Sequence, residues 1–546
     1  MARGARTSAW SPLAHPLFRA LWLASVTSHI GSYMTDVGLG WLMTTLAPSP
    51  LLVSLLLTAE SLPFFLLGLP AGALADIVDR RRLLIVTQIA MVAVLVMLAI
   101  VTLSGAVTPW ILLALTFALG TATSLNDPAW HSALPELLPK DQLAAGVTLN
   151  SIGINIARTL GPALGGFVVA TAGPGIVFVL DSLSFIGVVA VLVCWRRESS
   201  PAVLPAERMM GAIRAGLRFA RHSNALRRVL LGVFAFMISG AGIMALMPLL
   251  ARETGHGAVA FGFLLGSFGA GAVAGAVVLP RARARKSADA IVTVGALMLG
   301  GVALCASFVR VLAVLCPIVA VGGLAWISVI STLNVAAQHA SPPWVKARAL
   351  AVYLIVFQAG IGGGSAIWGM VATRSSLGTA YVGMAVGLAL SALIGSRLKL
   401  AAGEGMDHTP ARHWPAPLVV SEPSLEAGPI MIQVEYRVDP AHAAEFGNAM
   451  RAVGRSHRRN GALQWWLFRD TADPSRFVET WIETTWAEHL RTHERVSVAH
   501  RDIEQIARDL AQAGASIEIR HFISAYDAQM NDTGDSLPGV AGPYAT

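Results

Sequence analysis

Five ionisable side chains stand inside long apolar stretches of the sequence. They are Asp36, Glu60, Asp127, Arg158 and Asp181. Because a charge in hydrocarbon is costly, such residues face a protein interior or a water-filled cavity and often bind protons or substrate. A carboxylate in low-dielectric surroundings can take up a proton and release it when its surroundings change. Glu60 lies deepest in its apolar stretch and is our first candidate for a proton carrier, followed by Asp36.

Each of these residues also has a simpler interpretation. Asp36 could stand near the outer mouth of a cavity, and Asp181 in "LDSLSF" could be part of a structural hydrogen-bonding turn. Arg158 needs either a buried partner or a water-filled cavity. Asp127 and Asp181 are the two candidate partners, and the sequence does not choose between them.

A second charged group lies in "GALADIVDRRR", between two long apolar stretches. Its notable members are Gly72, Asp76, Asp79, Arg80 and Arg81. The group could be a catalytic site, a nucleic-acid patch or the turn between two membrane helices. We favour the turn, in which the arginines fix topology and Asp76 is either part of a conformational latch or a simple topology marker.

Composition favours a membrane protein. Of the 546 residues, 55% are hydrophobic and 13% are charged, whereas soluble chains have about 25% charged residues. The net charge of +8 fits basic residues that collect on cytoplasmic loops, so we expect a lipid bilayer and no nucleic acid as partner. The three cysteines lie in apolar stretches without metal-ligand spacing, and we expect no metal and no cofactor.

Hydropathy predicts twelve spanning helices, since about 20 apolar residues cross a bilayer. Basic residues cluster at every second connection, which predicts that both termini are cytoplasmic. The predicted helices cover 17–46, 50–75, 82–104, 107–127, 142–171, 174–195, 226–251, 257–280, 288–308, 310–334, 346–373 and 376–397.

The helices divide into two six-helix halves that resemble each other weakly, which is typical of transporters whose substrate path runs between repeats. Glycines in the fifth helix allow close helix approach, and a proline there permits a bend. The group consists of Gly161, Pro162, Gly165 and Gly166. It is either a hinge or a site of ordinary helix packing. The predicted segments are two halves at 1–195 and 226–400, a cytoplasmic loop at 196–225, a linker at 401–428, a soluble domain at 429–527 and a disordered tail at 528–546.

"GALADIVDRRR" resembles the signature of the major facilitator superfamily, from which it departs at Asp79, where the pattern has glycine. "GPALGG" resembles a motif of drug and proton antiporters. "DSLSFIG" and the stretch from Gly40 to Leu84 resemble the transmembrane secretion effectors, the branch of bacterial exporters that includes the enterobactin exporter.

The resemblance implies an all-α, twelve-helix bundle in the bacterial cytoplasmic membrane. It also implies export of a small organic molecule, such as a siderophore, drug or secondary metabolite, by proton antiport with alternating access. In this family Asp76 would face the start of the eleventh helix, whose N-terminal dipole favours a carboxylate. Uptake by the same fold remains an alternative.

In the C-terminal segment, strands with alternating apolar and polar residues and amphipathic helices predict a soluble domain of order βαββαβ. Together with "WAEHLRTHER" it resembles the ferredoxin-like (dimeric α/β-barrel) domains related to antibiotic-biosynthesis monooxygenases. The resemblance suggests a homodimer through this domain, or a membrane-tethered enzyme for an aromatic substrate. Trp486, His489 and His493 mark the candidate site, and His500 could be a further ligand or base. Histidines among arginines and glutamates on a helix are, however, typical of a solvated face.

Overall fold

A computed structural model describes two compact units. The described residues are 10–47, 49–133, 138–139, 141–195, 209–398, 400, 411, 414, 419, 421, 423–511 and 518–525. The first unit contains the membrane helices, and the second contains the C-terminal domain with residues 214–224 and 341–347. The predicted tail at 528–546 lies outside the described residues.

The first unit is a bundle of long helices. Pro residues open several of them at the first turn, where the missing N–H costs nothing. The helices are α1 (Pro16–Leu46), α2 (Pro50–Ile77), α3 (Arg80–Leu103), α4 (Pro109–Ala133), α5 (Leu143–Ala172), α6 (Pro174–Cys194), α8 (Asn224–Ala245), α9 (Met247–Glu253), α10 (Gly257–Arg283), α11 (Ala288–Phe308), α12 (Leu312–His339), α13 (Lys346–Arg374) and α14 (Leu377–Leu398), while α7 (Met209–His222) precedes α8.

Eleven spans among the described residues are long and apolar enough to cross a membrane, one fewer than predicted. α8 and α9 together form one of these spans. The exception is α1, whose 31 residues suffice in length. Its composition is more polar because Ser25, Ser28, Ser32 and Asp36 line an internal cavity. Hydropathy alone therefore does not mark α1 as a spanning helix.

Within this unit α1 packs along α5 and α6, α2 along α4, and α3 along α4 and α6. In the second half α10 packs along α12, and α11 along α12 and α14. Among the described residues, the two halves meet where α5 packs along α10. The predicted path between the halves thus has helices of both on its walls.

The C-terminal domain is an α+β sandwich. Strands β1 (Ile430–Arg437), β2 (Gln464–Arg469), β3 (Arg476–Glu483) and β4 (Glu518–Ile523) form a sheet of order β2-β3-β1-β4 in which every neighbouring pair is antiparallel. Helices α15 (Ala443–Asn460), α16 (Trp486–Arg495) and α17 (Val498–Asp509) complete the domain. The arrangement is consistent with the predicted ferredoxin-like order, except that the second predicted helix is split near Val496.

Two pieces of the membrane part's connections belong to this second unit. On α7, Phe219 is buried and meets the Trp344 ring edge-on, with 6.0 Å between the ring centroids. The Arg495 guanidinium lies 4.5 Å from the Trp344 ring centroid, and Arg218 pairs with Glu488 at 3.6 Å. The segment predicted as a loop at 196–225 therefore contains a helix that contributes to the soluble unit.

Trp414 also joins this unit, although it falls within the predicted linker. Its indole stacks on His457 with 5.5 Å between ring centroids, and its Nε1 donates to the Glu504 carboxylate at 3.1 Å. The ordered domain thus recruits a side chain from well before the first strand.

Candidate functional site

A cavity of about 520 Å³ lies between the two halves of the bundle. One wall comes from α1, α2 and α5, which carry Asp36, Glu60 and Arg158, and the other from α8, α10, α12 and α13. This volume falls within the range of about 300–1,000 Å³ typical of small-molecule sites. Three of the five ionisable residues singled out in the sequence therefore line this one cavity, which we call the chamber.

A second cavity of about 320 Å³ lies within the first half of the bundle. It shares Asp36 and Glu60 with the first cavity, and it adds Asp127 and Asp181. The Glu60 side chain is exposed to this internal space, and Asp36 is half-buried. The two carboxylates are therefore positioned where both cavities meet.

The partner of Arg158 differs from both residues considered in the sequence. Its Nε donates to the Tyr33 hydroxyl at 3.2 Å, while Asp127 and Asp181 line the other cavity. Tyr33 escaped sequence reasoning because a neutral side chain 125 positions away gives no charge signal. The guanidinium thus keeps its remaining donors available toward the chamber that it lines.

Asp181 lies in a closed hydrogen-bonded position. Its carboxylate accepts from Thr35 at 2.7 Å and from Ser184 at 3.2 Å, and the residue is 1% exposed. These contacts favour the structural interpretation of "LDSLSF". Next to Asp127, the Asn126 side-chain oxygen accepts from Thr87 at 3.0 Å.

The wall from the second half of the bundle is apolar and aromatic. Phe261, Phe268, Trp326, Phe357 and Met244 all line it. The Phe268 and Trp326 rings meet with their centroids 6.0 Å apart. Since the charged groups named above come from the first half, the chamber is polar on one side and apolar on the other.

Helices of the two halves contact each other toward the end of the bundle that is predicted to face outside. There the α2 backbone N–H of Leu51 donates to Thr373 on α13 at 3.0 Å, and Thr58 donates to the Gly362 carbonyl at 2.9 Å. At Gly262 on α10, an added Cβ would lie 2.5 Å from the Pro162 carbonyl oxygen. We call the α2–α13 and α5–α10 contacts the outer seal.

Pro162 and Gly166 of the glycine-proline group of α5 belong to this seal, whereas Gly161 and Gly165 contact α1. An added Cβ at Gly161 or Gly165 would meet α1, at 2.6 Å from Tyr33 Cβ or 2.8 Å from Met34 Cα, and one at Gly166 would meet the Ala258 carbonyl oxygen at 2.9 Å. These positions need small residues because the backbones touch. Pro162 also lines the chamber between the two halves.

In the charged turn after α2, the side chain of Asp76 lies outside the described residues. Asp79 caps α3, with its Oδ1 accepting from the Arg82 backbone N–H at 2.9 Å. The Arg81 guanidinium donates to the carbonyls of Leu192 at 3.0 Å and Val193 at 2.7 Å, at the end of α6. An added Cβ at Gly72 would meet nothing within 4 Å, and Arg80 is half-buried. Asp79, the departure from the family pattern, is thus a helix N-cap, which typically contributes about 1 kcal/mol.

His489, His493 and His500 do not form a solvated face, and that interpretation was wrong. His489 is 1% exposed, and its Nδ1 lies 2.9 Å from the Glu483 carboxylate. Trp486 is also buried, with its ring centroid 5.3 Å from that of His489. Burial, together with the imidazoles of His489 and His521, lowers the pKa of His493 to about 4. His500 faces a different group of side chains, around Ser456 and Glu504.

A family profile described as transmembrane secretion effector matches residues 7–529. The chain belongs to this family. Among curated relatives, the staphyloferrin A transporter of Staphylococcus aureus is 25% identical, over 46% of this chain and 64% of its own length. The multidrug efflux pump Tap of Mycobacterium bovis is 24% identical over 70% of this chain and 93% of its own length. The enterobactin exporter EntS of Shigella boydii is 25% identical over 48% of this chain and 63% of its own length.

Several of these matches are partial, and the chain spans between 41% and 64% of three of the curated relatives. Among solved structures, a bacterial homologue of the human lysosomal transporter Spinster has a TM-score of 0.55 at 14% identity, over 71% of this chain and 96% of its own. A POT family transporter in complex with 5-aminolevulinic acid has a TM-score of 0.59 at 10% identity, over 70% of this chain and 96% of its own. At these identities the structural matches establish the major facilitator fold alone.

Proposed function

We propose that this family member is a secondary transporter that exports small amphiphilic organic molecules in exchange for protons. The observation that carries the proposal is the shared chamber of Asp36, Glu60 and Arg158 between the two halves. The names of two relatives, an enterobactin exporter and a multidrug efflux pump, support the same direction of transport.

In this proposal Glu60 and Asp36 bind protons and substrate alternately. Substrate binding from the cytoplasm displaces a proton from this pair, and protons arriving from outside displace the substrate after the seal has opened. Such exchange needs carboxylates that are accessible in both states, and both residues stand where the two cavities meet. The positive charge of Arg158, which is held by Tyr33, balances part of the negative charge of the two carboxylates. A substrate therefore does not need a full positive charge to bind.

The chamber also suggests the substrate's chemistry. An apolar or aromatic body fits the wall of Phe261, Phe268 and Trp326, while a cationic or hydrogen-bond-donating group fits Asp36 and Glu60. A chamber with few fixed polar positions selects by size and amphiphilicity more than by exact structure. Ethidium and the macrolide erythromycin, which differ in shape and share this character, are suitable probes.

The test uses full-length protein in proteoliposomes that contain a pH-sensitive dye. An imposed pH gradient should drive each probe against its own gradient, with matching proton movement in the opposite direction. Glu60→Gln and Asp36→Asn should abolish the coupling because an amide cannot release a proton at this position. Asp141→Asn, which changes an exposed carboxylate outside the two cavities, is the matched control.

Full pH-driven flux in both cavity variants would show that Asp36 and Glu60 do not carry the protons. Probe movement that is unaffected by the pH gradient in wild type would exclude antiport. Movement of protons and probe in the same direction would favour uptake, the alternative considered from the sequence. Movement of neither probe would exclude the amphiphilic substrate class.

A further inference from the structure

Three histidines of the C-terminal domain converge on one point. His489 and His493 stand one turn apart on α16, and His521 is on β4. One ring nitrogen from each residue lies within 4.8 Å of those of the other two. Imidazole nitrogens gathered in this way are suited to zinc, copper, nickel and iron.

His521 reaches this point because of strand register. It pairs with Ile432 on β1, which in turn pairs with Trp481 on β3. Directly paired residues point to the same face of a sheet. Ile432 and Trp481 are buried in the domain core, so His521 lies on the face that the helices cover.

The orientation of His489 is fixed by a buried carboxylate. Glu483 is 0% exposed, its Oε2 lies 2.9 Å from His489 Nδ1, and its Oε1 accepts from the Trp481 indole at 3.3 Å. With Nδ1 engaged, Nε2 of His489 is the nitrogen that faces His493. Metal-binding histidines commonly have this kind of carboxylate partner on the opposite nitrogen.

The spacing agrees with a metal ion. The Nε2 atoms of His489 and His493 are 3.2 Å apart. Two nitrogens at Zn–N distances of 2.0–2.1 Å in a tetrahedron are separated by roughly 3.4 Å. A small displacement of the two rings therefore accommodates an ion between them.

The adjoining cavity has a volume of about 30 Å³ and is lined by all three histidines. A water molecule needs about 10–15 Å³ by this kind of measure, so the space admits an ion with one or two waters. A space of this size is too small for an aromatic ring, so it suits an ion better than an organic ligand.

A neighbouring group provides a contrast. His457, His500 and Glu504 also lie close together, but the His500 nitrogens are already used. Its Nε2 contacts Glu504 at 2.6 Å, and its Nδ1 contacts Ser456. That group is a satisfied hydrogen-bond network, whereas the His489 group has nitrogens directed at one another and at a cavity.

We propose that His489, His493 and His521 bind one divalent first-row transition cation, with zinc as the best fit, and that Glu483 orients His489. Three imidazoles leave a fourth coordination position for water. The bound ion ties β4, the edge strand of the sheet, to α16. This proposal replaces the expectation of a domain without metal.

The test uses full-length protein in detergent, purified without a histidine tag and stripped with a chelator. Addition of Co²⁺ should give the visible absorption of a tetrahedral site at one ion per chain, and Zn²⁺ should displace it. His493→Ala and His521→Ala should lose stoichiometric binding. Glu483→Gln should weaken Zn²⁺ binding by roughly 10- to 100-fold, the effect typical of losing such a carboxylate partner.

His442→Ala is the matched control, because His442 is an exposed histidine of the same domain. It should bind Co²⁺ as wild type does. Circular dichroism and the melting temperature of each stripped variant identify any variant that is misfolded. Absence of a one-to-one ion in wild type, or unchanged binding in folded His493→Ala and His521→Ala, would overturn the proposal.

Discussion

Replacing Gly262 with alanine should shift the protein away from the conformation described above, in which the outer seal is formed. An added Cβ at this position would lie 2.5 Å from the Pro162 carbonyl oxygen and 2.9 Å from Gly166 Cα. Both of those atoms belong to the α5 backbone, so no side chain can rotate to make room. The α5–α10 contact of the outer seal must therefore separate by several tenths of an ångström.

The size of the effect follows from two opposing contributions. Alanine is favoured over glycine in a helix by about 1 kcal/mol, and this gain applies whether the seal is closed or open. Overpacking costs about 1–3 kcal/mol, and this cost applies only while the seal is closed. The difference between the two states is therefore the full overpacking cost, which shifts their ratio by roughly 5- to 150-fold toward the open seal.

Cysteine accessibility measures this ratio directly. Leu39 lines the chamber between the two halves and is buried. A cysteine at this position therefore reports whether a membrane-impermeant thiol reagent can enter the chamber from outside. The three native cysteines are first replaced by serine. Gly301→Ala on α11 is the matched control, because an added Cβ there meets nothing within 4 Å.

The labelling rate should rise in the Gly262→Ala variant and remain at the wild-type value in Gly301→Ala, which should also melt at a slightly higher temperature. Equal labelling rates in the two variants would mean that the α5–α10 contact does not control access. The assignment of the outer seal would then be wrong.

Three further predictions concern single contacts. Tyr33→Phe should lower the initial transport rate roughly 10- to 150-fold at low substrate concentration, since a hydrogen bond to a charged group contributes about 1.5–3 kcal/mol and Tyr33 is the partner of Arg158; an unchanged rate in the proteoliposome assay would contradict this. Asp79→Ala should destabilise the detergent-solubilised protein by about 1 kcal/mol through loss of the α3 cap, and Asp79→Ser should restore most of the melting temperature. Burial raises the pKa of Glu479 from 4.5 to about 7, so its contribution to stability is complete below about pH 4.5 and is lost as pH rises through 7, about 3 kcal/mol in total. Glu479→Gln should flatten this fall, as measured by urea unfolding of the C-terminal domain at pH 5 and 8 with hydrogen exchange of β3; the same pH dependence in the variant would refute it.

Much of the bundle could be predicted from hydropathy, because a spanning helix has a fixed length and an apolar surface. The position of Glu60 and Asp36 at an internal cavity could also be predicted, because a charged residue within an apolar stretch rarely faces lipid. The role of Tyr33 could not be predicted, because a phenol is compatible with lipid, cavity and core alike. Only the packing of α1 against α5 brings it to Arg158.

The histidine group illustrates a different limit. His489 and His493 are visible as a helical pair, but burial depends on which face of α16 meets the sheet. His521 carried a usable signal, because strand alternation places it on the same side as Ile519 in "IEIRHFI". The sequence does not state that β4 pairs with β1, and that pairing brings the third nitrogen to the other two.

The association of Phe219 and Trp344 with the C-terminal domain affects how this protein can be shortened. A chain ending at Leu400 would lose Arg495 from the Trp344 ring and Glu488 from Arg218, although Phe219, Trp344 and Arg218 all remain. Such a deletion would leave an aromatic pair uncovered beside an arginine without its counter-ion, a surface prone to aggregation. A low yield of the shortened protein would then report a damaged surface, so point substitutions within the C-terminal domain are the sounder way to separate its role from transport.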